Sequence, residues 1–457
     1  MKTKFYFFSA MMLLASCSQN EEGVGQLETI SNESMSQMYI DCNKDVVNIN
    51  DAKKVAILFN STMNDKNGKT RISDSRQDAK ISTISDQRSG QPLLYVANYG
   101  KNNGFAIISS TKNTKPIFAY SQEGHFNLDS ITGGVSSFID AYKAEVKVAL
   151  ADASDSLRVK HALEWARFEK EVTSKKASTR SVDQAMIQQE IQKMTVQGYT
   201  YIGDITTLQY YYSPSEYQQI VQNVVNNAHP DYNYLDYTLF FLKYVEPYNI
   251  DPLINVQWHQ FEPFNYGASN GIAGCVPVAV AQILYYYKYP NTFNWNQIYA
   301  DPSSNINNTS FYTFIQDVRD ECDVTYNSNS TSSNINKAKD ALEHYGYSVT
   351  KYDYFTTDIL ANSIIVSKPL YLQGEEGSVG HAWICEGYKR SEYLASLSMI
   401  RNRPLVQYTE SPLDSWQLNK YFYMAFGQSG GAGNGWYSYS SLSDTYPDDR
   451  KCLVISR

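Results

Sequence analysis

The chain has 457 residues and a mass of 51.9 kDa, more than one hydrophobic core usually organises, so two or three domains are expected. Hydrophobic residues make up 42% of the chain and charged residues only 19%, which excludes a largely disordered, highly charged protein. The formal charge of -8 has the wrong sign for neutralising phosphates, so no nucleic-acid partner is expected.

Residues 1–17 have the pattern of an export signal. Two lysines precede an apolar stretch from Phe5 to Ala15, which is too short to span a bilayer because spanning needs about 20 apolar residues. Its end, Leu14-Ala15-Ser16-Cys17, resembles the lipobox of bacterial lipoproteins, in which the signal is cut before the cysteine and the thiol is acylated. This resemblance implies a protein anchored in the bacterial cell envelope by lipid on Cys17, at the outer membrane or cell surface, with residues 18–33 as a tether. An ordinary cleaved signal with a chance cysteine is the alternative.

Residues 34–173 are predicted to form a small α+β module. Short apolar runs bounded by turn residues predict strands over Leu93–Ala97, Gly104–Ser109 and Pro116–Tyr120, and helical periodicity predicts a helix over Val135–Ala151. The polar segment Ser61–Gln91 has little periodicity and is predicted to be an exposed loop.

Residues 174–250 are predicted to be a linker and a Tyr-rich lead-in. The linker begins with the polar, basic run Ser174–Ser181, which has no apolar anchor and is a predicted proteolytic site. Residues 251–457 form the last predicted domain, and the chemistry of the chain is concentrated there.

The run from Gly274 to Pro290, GCVPVAVAQILYYYKYP, predicts a buried helix with Cys275 at its N-terminus. Pro277 is tolerated in the first turn, and Pro290 forces the helix to stop. A cysteine in this position lies near the positive end of the helix dipole and near free backbone N–H groups, which favour thiolate over thiol. Position alone does not separate a reactive thiolate from a buried structural cysteine.

A reactive thiol also needs a proton-accepting base, and His381 is the best candidate among the six histidines. It follows the glycine-rich segment Gly374–Gly380 and opens a predicted strand, where a side chain can project into a cleft. A hydrogen-bonded strand histidine is the alternative. The other histidines lie elsewhere in the chain: His125, His161, His229, His259 and His344.

No metal site and no cofactor are expected. The chain has no Cys-x-x-Cys pair, no His-Glu-x-x-His motif and no paired Cys/His ligand spacing. The remaining cysteines are spaced too irregularly for a disulfide framework, and the sequence leaves open which of them pair: Cys42, Cys322, Cys385 and Cys452.

Three segments together resemble the streptopain family of papain-fold cysteine proteases. They are the Cys275 helix run, the Gln-x-x-Pro-aromatic-Asn segment Gln260–Asn265, and Gly380-His381-Ala382, within a match that covers roughly residues 245–457. Upstream, segments within Tyr95–Ser121 resemble the inhibitory pro-domain of the same family.

The resemblance implies a papain-like peptidase domain over residues 251–457 that follows a small α+β pro-domain. It assigns Cys275 as the nucleophile, His381 as the base and general acid, and Gln260 as an oxyanion donor together with the Cys275 backbone N–H. It implies a cysteine endopeptidase made as a zymogen, with a polypeptide substrate and its own pro-domain as an intramolecular inhibitor.

One departure from the family pattern concerns the residue that orients the histidine. The family carries an Asn-Trp-Gly-Trp-Gly-Gly segment whose asparagine orients the imidazole, and the corresponding run here is Ala425–Gly430. Since the Ala425 side chain cannot hydrogen-bond, His381 would be held by backbone, by water or by a shifted neighbour such as Gln428. Lowered activity is expected. The alternative is a catalytically impaired papain-fold surface protein that binds polypeptide or glycan.

Overall fold

The computed structural model describes most of the chain beyond residue 44. The described residues are 45–62, 79–131, 134–151, 161–162, 164–165, 168–169, 184–227, 238–299, 308–376, 379–400, 408–409, 413–428, 431, 433–438 and 450–457. The predicted signal and Cys17, the tether, Cys42 and the linker run Ser174–Ser181 lie outside them.

The chain divides into two compact units. The main unit comprises residues 40–171, 245–392 and 417–457, and the smaller unit comprises residues 1–39, 172–244 and 393–416.

Helices and strands alternate irregularly along the chain. The described helices are α1 (Ile49–Ser61), α2 (Gly134–Ala151), α3 (Gln184–Val196), α4 (Pro214–Asn227), α5 (Cys275–Tyr287), α6 (Thr309–Glu321), α7 (Ile335–His344) and α8 (Thr357–Ile365). The described strands are β1 (Ala79–Ser85), β2 (Pro92–Tyr99), β3 (Phe105–Ser109), β4 (Ile117–Ser121), β5 (Thr200–Asp204), β6 (Thr238–Ile250), β7 (Thr325–Tyr326), β8 (Thr331–Ser332), β9 (Ser348–Tyr352), β10 (Leu370–Glu376), β11 (Val379–Met399), β12 (Tyr408–Thr409), β13 (Leu413–Ala425), β14 (Gly435–Ser438) and β15 (Lys451–Ser456). The predicted α+β class is confirmed.

The N-terminal part of the main unit is an antiparallel sheet between two helices. Strands β1 to β4 pair in sequence order, and their side chains alternate between a core shared with α1 and a core shared with α2. The predicted strands β2, β3 and β4 and the predicted helix α2 are confirmed, with bounds shifted by one or two residues.

The predicted loop over Ser61–Gln91 is wrong where β1 forms. This strand is polar along much of its length and pairs with β2 over the register from Ala79–Tyr99 to Ser85–Pro92. Its strand conformation comes from hydrogen bonds to a buried neighbour, because its own sequence has no apolar run long enough to predict it.

The sheet of the N-terminal part continues into the C-terminal part. Strand β14 pairs with β4, with Trp436 opposite Tyr120 and Tyr437 opposite Ala119, and the order then runs β14, β13, β11, β10, β15, β9. Both parts also share one hydrophobic core, in which Phe118 and Phe138 are buried together with Phe426. The two parts of the main unit are therefore joined by backbone hydrogen bonds and by buried aromatic side chains.

Helix α5 is buried along most of its length, as predicted. Every residue from Val276 to Leu284 is buried, and the helix packs against α6, α7 and the sheet. The helix ends at Tyr287 because Lys288 adopts a left-handed backbone conformation, and Pro290 follows.

The smaller unit has its own core. Its buried residues are Met194, Leu239, Phe241 and Ile400, and the Ser398 hydroxyl donates to Oε1 of the fully buried Glu190 at 2.9 Å. The tyrosine-rich lead-in therefore contains helices and strands of its own. None of the described helices is both long and apolar enough to cross a membrane.

Glu386 joins the strand β11 to the segment that leads to Gln260. Its carboxylate accepts from the Ile254 N–H at 2.6 Å, and its backbone carbonyl accepts from the Leu253 N–H at 2.9 Å. Burial raises the pKa of this carboxyl group to about 8, although the Ile254 N–H acts in the opposite direction.

Replacing Glu386 by glutamine is expected to stabilise the fold near pH 8. Because the folded-state pKa is raised, the wild-type carboxyl favours the folded state below its unfolded pKa, and this contribution is lost as the pH rises towards about 8. An amide keeps an acceptor for Ile254 and has no charge to desolvate, so the melting temperature of E386Q should exceed that of wild type by several degrees at pH 8. The difference should shrink at pH 5, and the exposed-site control E262Q should show neither effect. A wild-type advantage at pH 8 would contradict the prediction.

Candidate active site

The backbone before Cys275 requires glycine. Gly274 has a φ of 93°, and a Cβ atom there would lie 3.1 Å from the Thr331 methyl group. Any other residue would therefore be strained and crowded. The chain turns at Gly274 so that Cys275 is the first residue of α5, where unpaired N–H groups and the helix dipole favour an anion.

The structure brings the side chains of Cys275 and His381 together in a hydrogen bond. Burial alone raises the pKa of the Cys275 thiol, but the His381 hydrogen bond and charge, with the N–H groups of Ala382 and Cys275, outweigh it and lower that pKa below its ordinary value. Burial likewise lowers the pKa of His381, but the hydrogen bond and charge of Cys275, helped by the Phe426 carbonyl, raise it above its ordinary value. Both shifts favour a thiolate and an imidazolium over two neutral groups.

The ring of His381 is oriented by a backbone carbonyl. Its Nε2 lies 2.9 Å from the carbonyl oxygen of Phe426, which can only accept, so Nε2 carries a proton and Nδ1 is left for the sulfur. The ring also stacks on Trp383, with ring centroids 6.2 Å apart and planes 10° apart. Ala425 ends β13 as a buried residue, and the acceptor comes from the residue after it. Backbone was one of the three possibilities that the sequence left open, and the structure shows that it is the Phe426 carbonyl.

The backbone of Phe426 is itself held on both sides. Its N–H donates to Oδ1 of the buried Asn434 at 2.8 Å, and the next residue, Gly427, has a φ of 65°. The connection between β13 and β14 therefore supplies the carbonyl that contacts His381.

Gln260 lies in the loop that leads to Cys275. Its backbone carbonyl accepts from the Ala273 N–H at 2.8 Å, and the Asn265 side chain donates to the Gly271 carbonyl at 2.8 Å. These bonds close the loop and fix the Gln260 backbone beside the segment that enters α5. The Gln260 side chain is partly exposed.

The other described histidines lie away from Cys275 in the hydrogen-bond network. His161 pairs with Glu164 at 3.1 Å, His344 lies 3.6 Å from Glu321, and the Nδ1 of His259 accepts from the Phe261 N–H. His229 lies outside the described residues. Within the part of the chain that the structure describes, no three His, Cys, Asp or Glu side chains are grouped as metal ligands.

The other described cysteines differ from Cys275 in their surroundings. Cys322, Cys385 and Cys452 are free and fully buried, and burial raises the pKa of each thiol, to about 12 for Cys452. Cys275 is free and partly exposed. Environment therefore separates one activated thiol from three inert ones.

The N-terminus of α2 packs directly against the His381 ring. A Cβ atom on Gly134 would lie 2.7 Å from the Phe426 ring and 3.1 Å from Cδ2 of His381. The Phe138 ring meets the Phe426 ring edge to face at 5.9 Å. Sequence reasoning missed Gly134, although a glycine at the start of an apolar helix indicates a close approach of another chain segment.

Comparisons with known proteins find two families, one in each part of the main unit. Residues 44–146 match the Spi protease inhibitor family, and residues 258–315, which include Gln260 and Cys275, match the Peptidase C10 family. Streptopain of Streptococcus pyogenes is 22% identical over 360 residues, which cover 68% of this chain and 73% of streptopain. The thiol protease/hemagglutinin PrtT of Porphyromonas gingivalis is 24% identical over 183 residues, 30% of this chain but only 21% of that relative. The resemblance inferred from the sequence is confirmed: the chain is similar to streptopain, with a segment that matches the Spi protease inhibitor family ahead of a segment that matches the Peptidase C10 family.

Proposed function

We propose that this protein is a cysteine endopeptidase made as a zymogen, with residues 34–173 as the pro-domain and residues 251–457 as the peptidase domain. The observation that carries the proposal is the hydrogen-bonded pair of Cys275 and His381, in which the thiol pKa is lowered and the imidazole pKa is raised. The buried Cys322 differs from Cys275 in this respect, because burial raises the pKa of its thiol and no histidine lowers it.

In the proposed mechanism the Cys275 thiolate attacks the peptide carbonyl carbon, and the carbonyl oxygen becomes an oxyanion. The Cys275 backbone N–H and the Gln260 side-chain amide donate to this oxyanion, and losing one such donor typically costs about 2.7 to 4 kcal/mol of barrier. The His381 imidazolium then protonates the leaving amine, and the C–N bond breaks to give a thioester. His381 next removes a proton from water, which hydrolyses the thioester and regenerates the thiolate.

The Phe426 carbonyl supplies the acceptor that an orienting asparagine side chain supplies in the family pattern. It holds the Nε2 proton at 2.9 Å and so selects the tautomer whose Nδ1 serves the sulfur. We therefore expect hydrolysis to survive the alanine at position 425, with activity lowered to the extent that this carbonyl orients the ring less well than an amide.

The contacts of α2 support inhibition by the pro-domain. The backbone of Gly134 lies close to the His381 ring, and β4 pairs with β14, so we expect the docked pro-domain to hinder a polypeptide that approaches this side of the pair. Cleavage in the basic linker over Ser174–Ser181 would release the covalent tether. Envelope location and a lipid anchor on Cys17 are proposed from the sequence alone.

Replacing Cys275 by alanine is expected to lower the peptidase rate by about three orders of magnitude or more, because the proposed nucleophile is removed. The measurement is hydrolysis of an unfolded protein substrate by chain processed at the linker. C322A is the matched control, since it removes a thiol that burial keeps protonated, and it should retain activity. Equal rates for C275A and wild type would refute the nucleophile assignment. A wild-type enzyme that alkylates at Cys275 but hydrolyses nothing would favour the non-enzymatic alternative.

The alkylation rate of Cys275 is expected to reach half its maximum at a pH below the ordinary thiol value. The lowered pKa means that thiolate is already present where an unperturbed thiol is protonated, and the thiolate is the species that reacts. In H381A the hydrogen bond and charge are lost while burial remains, so the midpoint should move upward. Carbamidomethylation of the Cys275 peptide, followed by mass spectrometry from about pH 4 to about pH 10, measures it. A midpoint unchanged by H381A would contradict the pairing.

Replacing Gly134 by leucine is expected to raise the hydrolysis rate of the uncleaved chain. The new side chain collides with the Phe426 and His381 rings, which weakens docking of the pro-domain, and each 1.4 kcal/mol of lost docking energy is about tenfold in the open population. G134A should give a smaller increase, and A144L, on an exposed position of α2, should give none. The initial rate is measured while mass analysis verifies that the chain is intact. An increase in A144L equal to that in G134L would mean that the effect is not local.

A further inference from the structure

The connection between β13 and β14 ends in a polar residue, Asn434, whose side chain is buried. Asn434 precedes β14, its N–H donates to the Gly431 carbonyl at 3.0 Å, and its side chain is buried. From there Oδ1 reaches back across the connection to accept from the Phe426 N–H at 2.8 Å. The two ends of the connection are therefore tied by one side-chain hydrogen bond.

This bond acts on the residue whose carbonyl holds His381. The Phe426 N–H belongs to the peptide group before its Cα atom, and the Phe426 carbonyl belongs to the peptide group after it. Asn434 fixes the first group at 2.8 Å and His381 contacts the second at 2.9 Å. A rotation of the Phe426 backbone that moved the carbonyl away from Nε2 would also strain or break the Asn434 bond.

The neighbouring residues Ala425 and Trp383 do little to fix the direction of the Nε2–H group of His381. Ala425 has no polar side chain, and the stacking of Trp383 fixes the plane of the ring but not its rotation within that plane. Gly427, with a φ of 65°, leaves the chain free to turn at the point where the carbonyl must be aimed. Because Gly427 does not restrict the backbone on one side of the Phe426 carbonyl, a hydrogen bond from the other side, such as that to Asn434, is needed to keep the carbonyl pointing at His381.

We propose that Asn434 is a positioning residue for His381, acting through the Phe426 peptide groups in the role that a side-chain amide has in the family pattern. This inference rests on the proposed peptidase function, because it assigns Asn434 a part in the same reaction. Asn434 acts on His381 through the Phe426 backbone. We therefore expect its removal to change how often the imidazole is correctly aimed and to leave substrate binding largely unchanged.

The test compares N434A with N434D in the full chain and after processing at the linker. Alanine removes the acceptor, and kcat should fall about 10- to 100-fold with KM within about twofold, since small misplacements of a catalytic group have effects of this size. Aspartate keeps an oxygen at the same position and should recover kcat to within about threefold of wild type. N336A removes the same side chain from the exposed surface of α7 and should behave as wild type. Loss of folding alone would lower the amount of active enzyme in both variants, which active-site titration corrects.

A second readout separates this inference from the peptidase proposal. The pH midpoint of Cys275 alkylation, measured in the full chain by mass spectrometry, should rise in N434A and return in N434D, whether or not the protein hydrolyses peptides. If wild type is inactive on peptides but this pattern is seen, the positioning role stands and the peptidase proposal fails. If wild type hydrolyses peptides but N434A matches it in kcat and midpoint, or if aspartate rescues neither quantity, the positioning role is overturned.

Discussion

Burial disfavours the charged forms of both Cys275 and His381, and hydrogen bonds and charges around the pair outweigh this effect. Burial by itself would leave a neutral thiol beside a neutral imidazole, since it raises the pKa of one group and lowers the pKa of the other. Each group reverses the effect for its neighbour by its hydrogen bond and its charge. The N–H groups of Ala382 and Cys275 then serve the sulfur, and the Phe426 carbonyl serves the ring. The pair therefore depends on three backbone segments being held at hydrogen-bonding distance: the start of α5, the start of β11 and the end of β13.

Each of these segments is fixed by contacts outside the pair. Gly274 allows the turn into α5, and burial of every residue from Val276 to Leu284 holds that helix in place. Strand β11 is paired with β10 from Leu370–Cys385 to Glu376–Val379, and Glu386 on the same strand holds the segment that leads to Gln260. Because burial raises the pKa of Glu386 to about 8, this carboxyl group costs stability near neutral pH, where it would be ionised in the unfolded chain.

The sequence predicts those parts of the site that depend on residue type and local pattern. Cys275 at a helix N-terminus and His381 at the start of a strand follow from helical spacing, proline positions and a glycine-rich approach, and the structure brings these two residues together. It does not predict β1, whose strand conformation comes from its neighbour, or the Phe426 carbonyl, which any residue could provide. The missing asparagine at position 425 is visible in the sequence, which leaves backbone, water or a neighbour such as Gln428 as its substitute but does not select the Phe426 carbonyl. Only the relative placement of β11 and the β13–β14 connection reveals that replacement, and this placement is a property of long-range packing.

Phe426 links orientation of His381 to docking of the pro-domain, because its backbone carbonyl contacts His381 and its ring contacts α2. The carbonyl holds Nε2 of His381, while the ring packs against Phe138 and lies where a Gly134 side chain would be. Since the pair is already assembled beneath α2, inhibition by the proposed pro-domain does not require the imidazole to move. Covering the pair is enough, because a polypeptide needs an extended path across it, whereas Cys275 itself stays partly exposed. In the proposed zymogen, activation would then need removal of the pro-domain but no rearrangement of the Cys275–His381 pair.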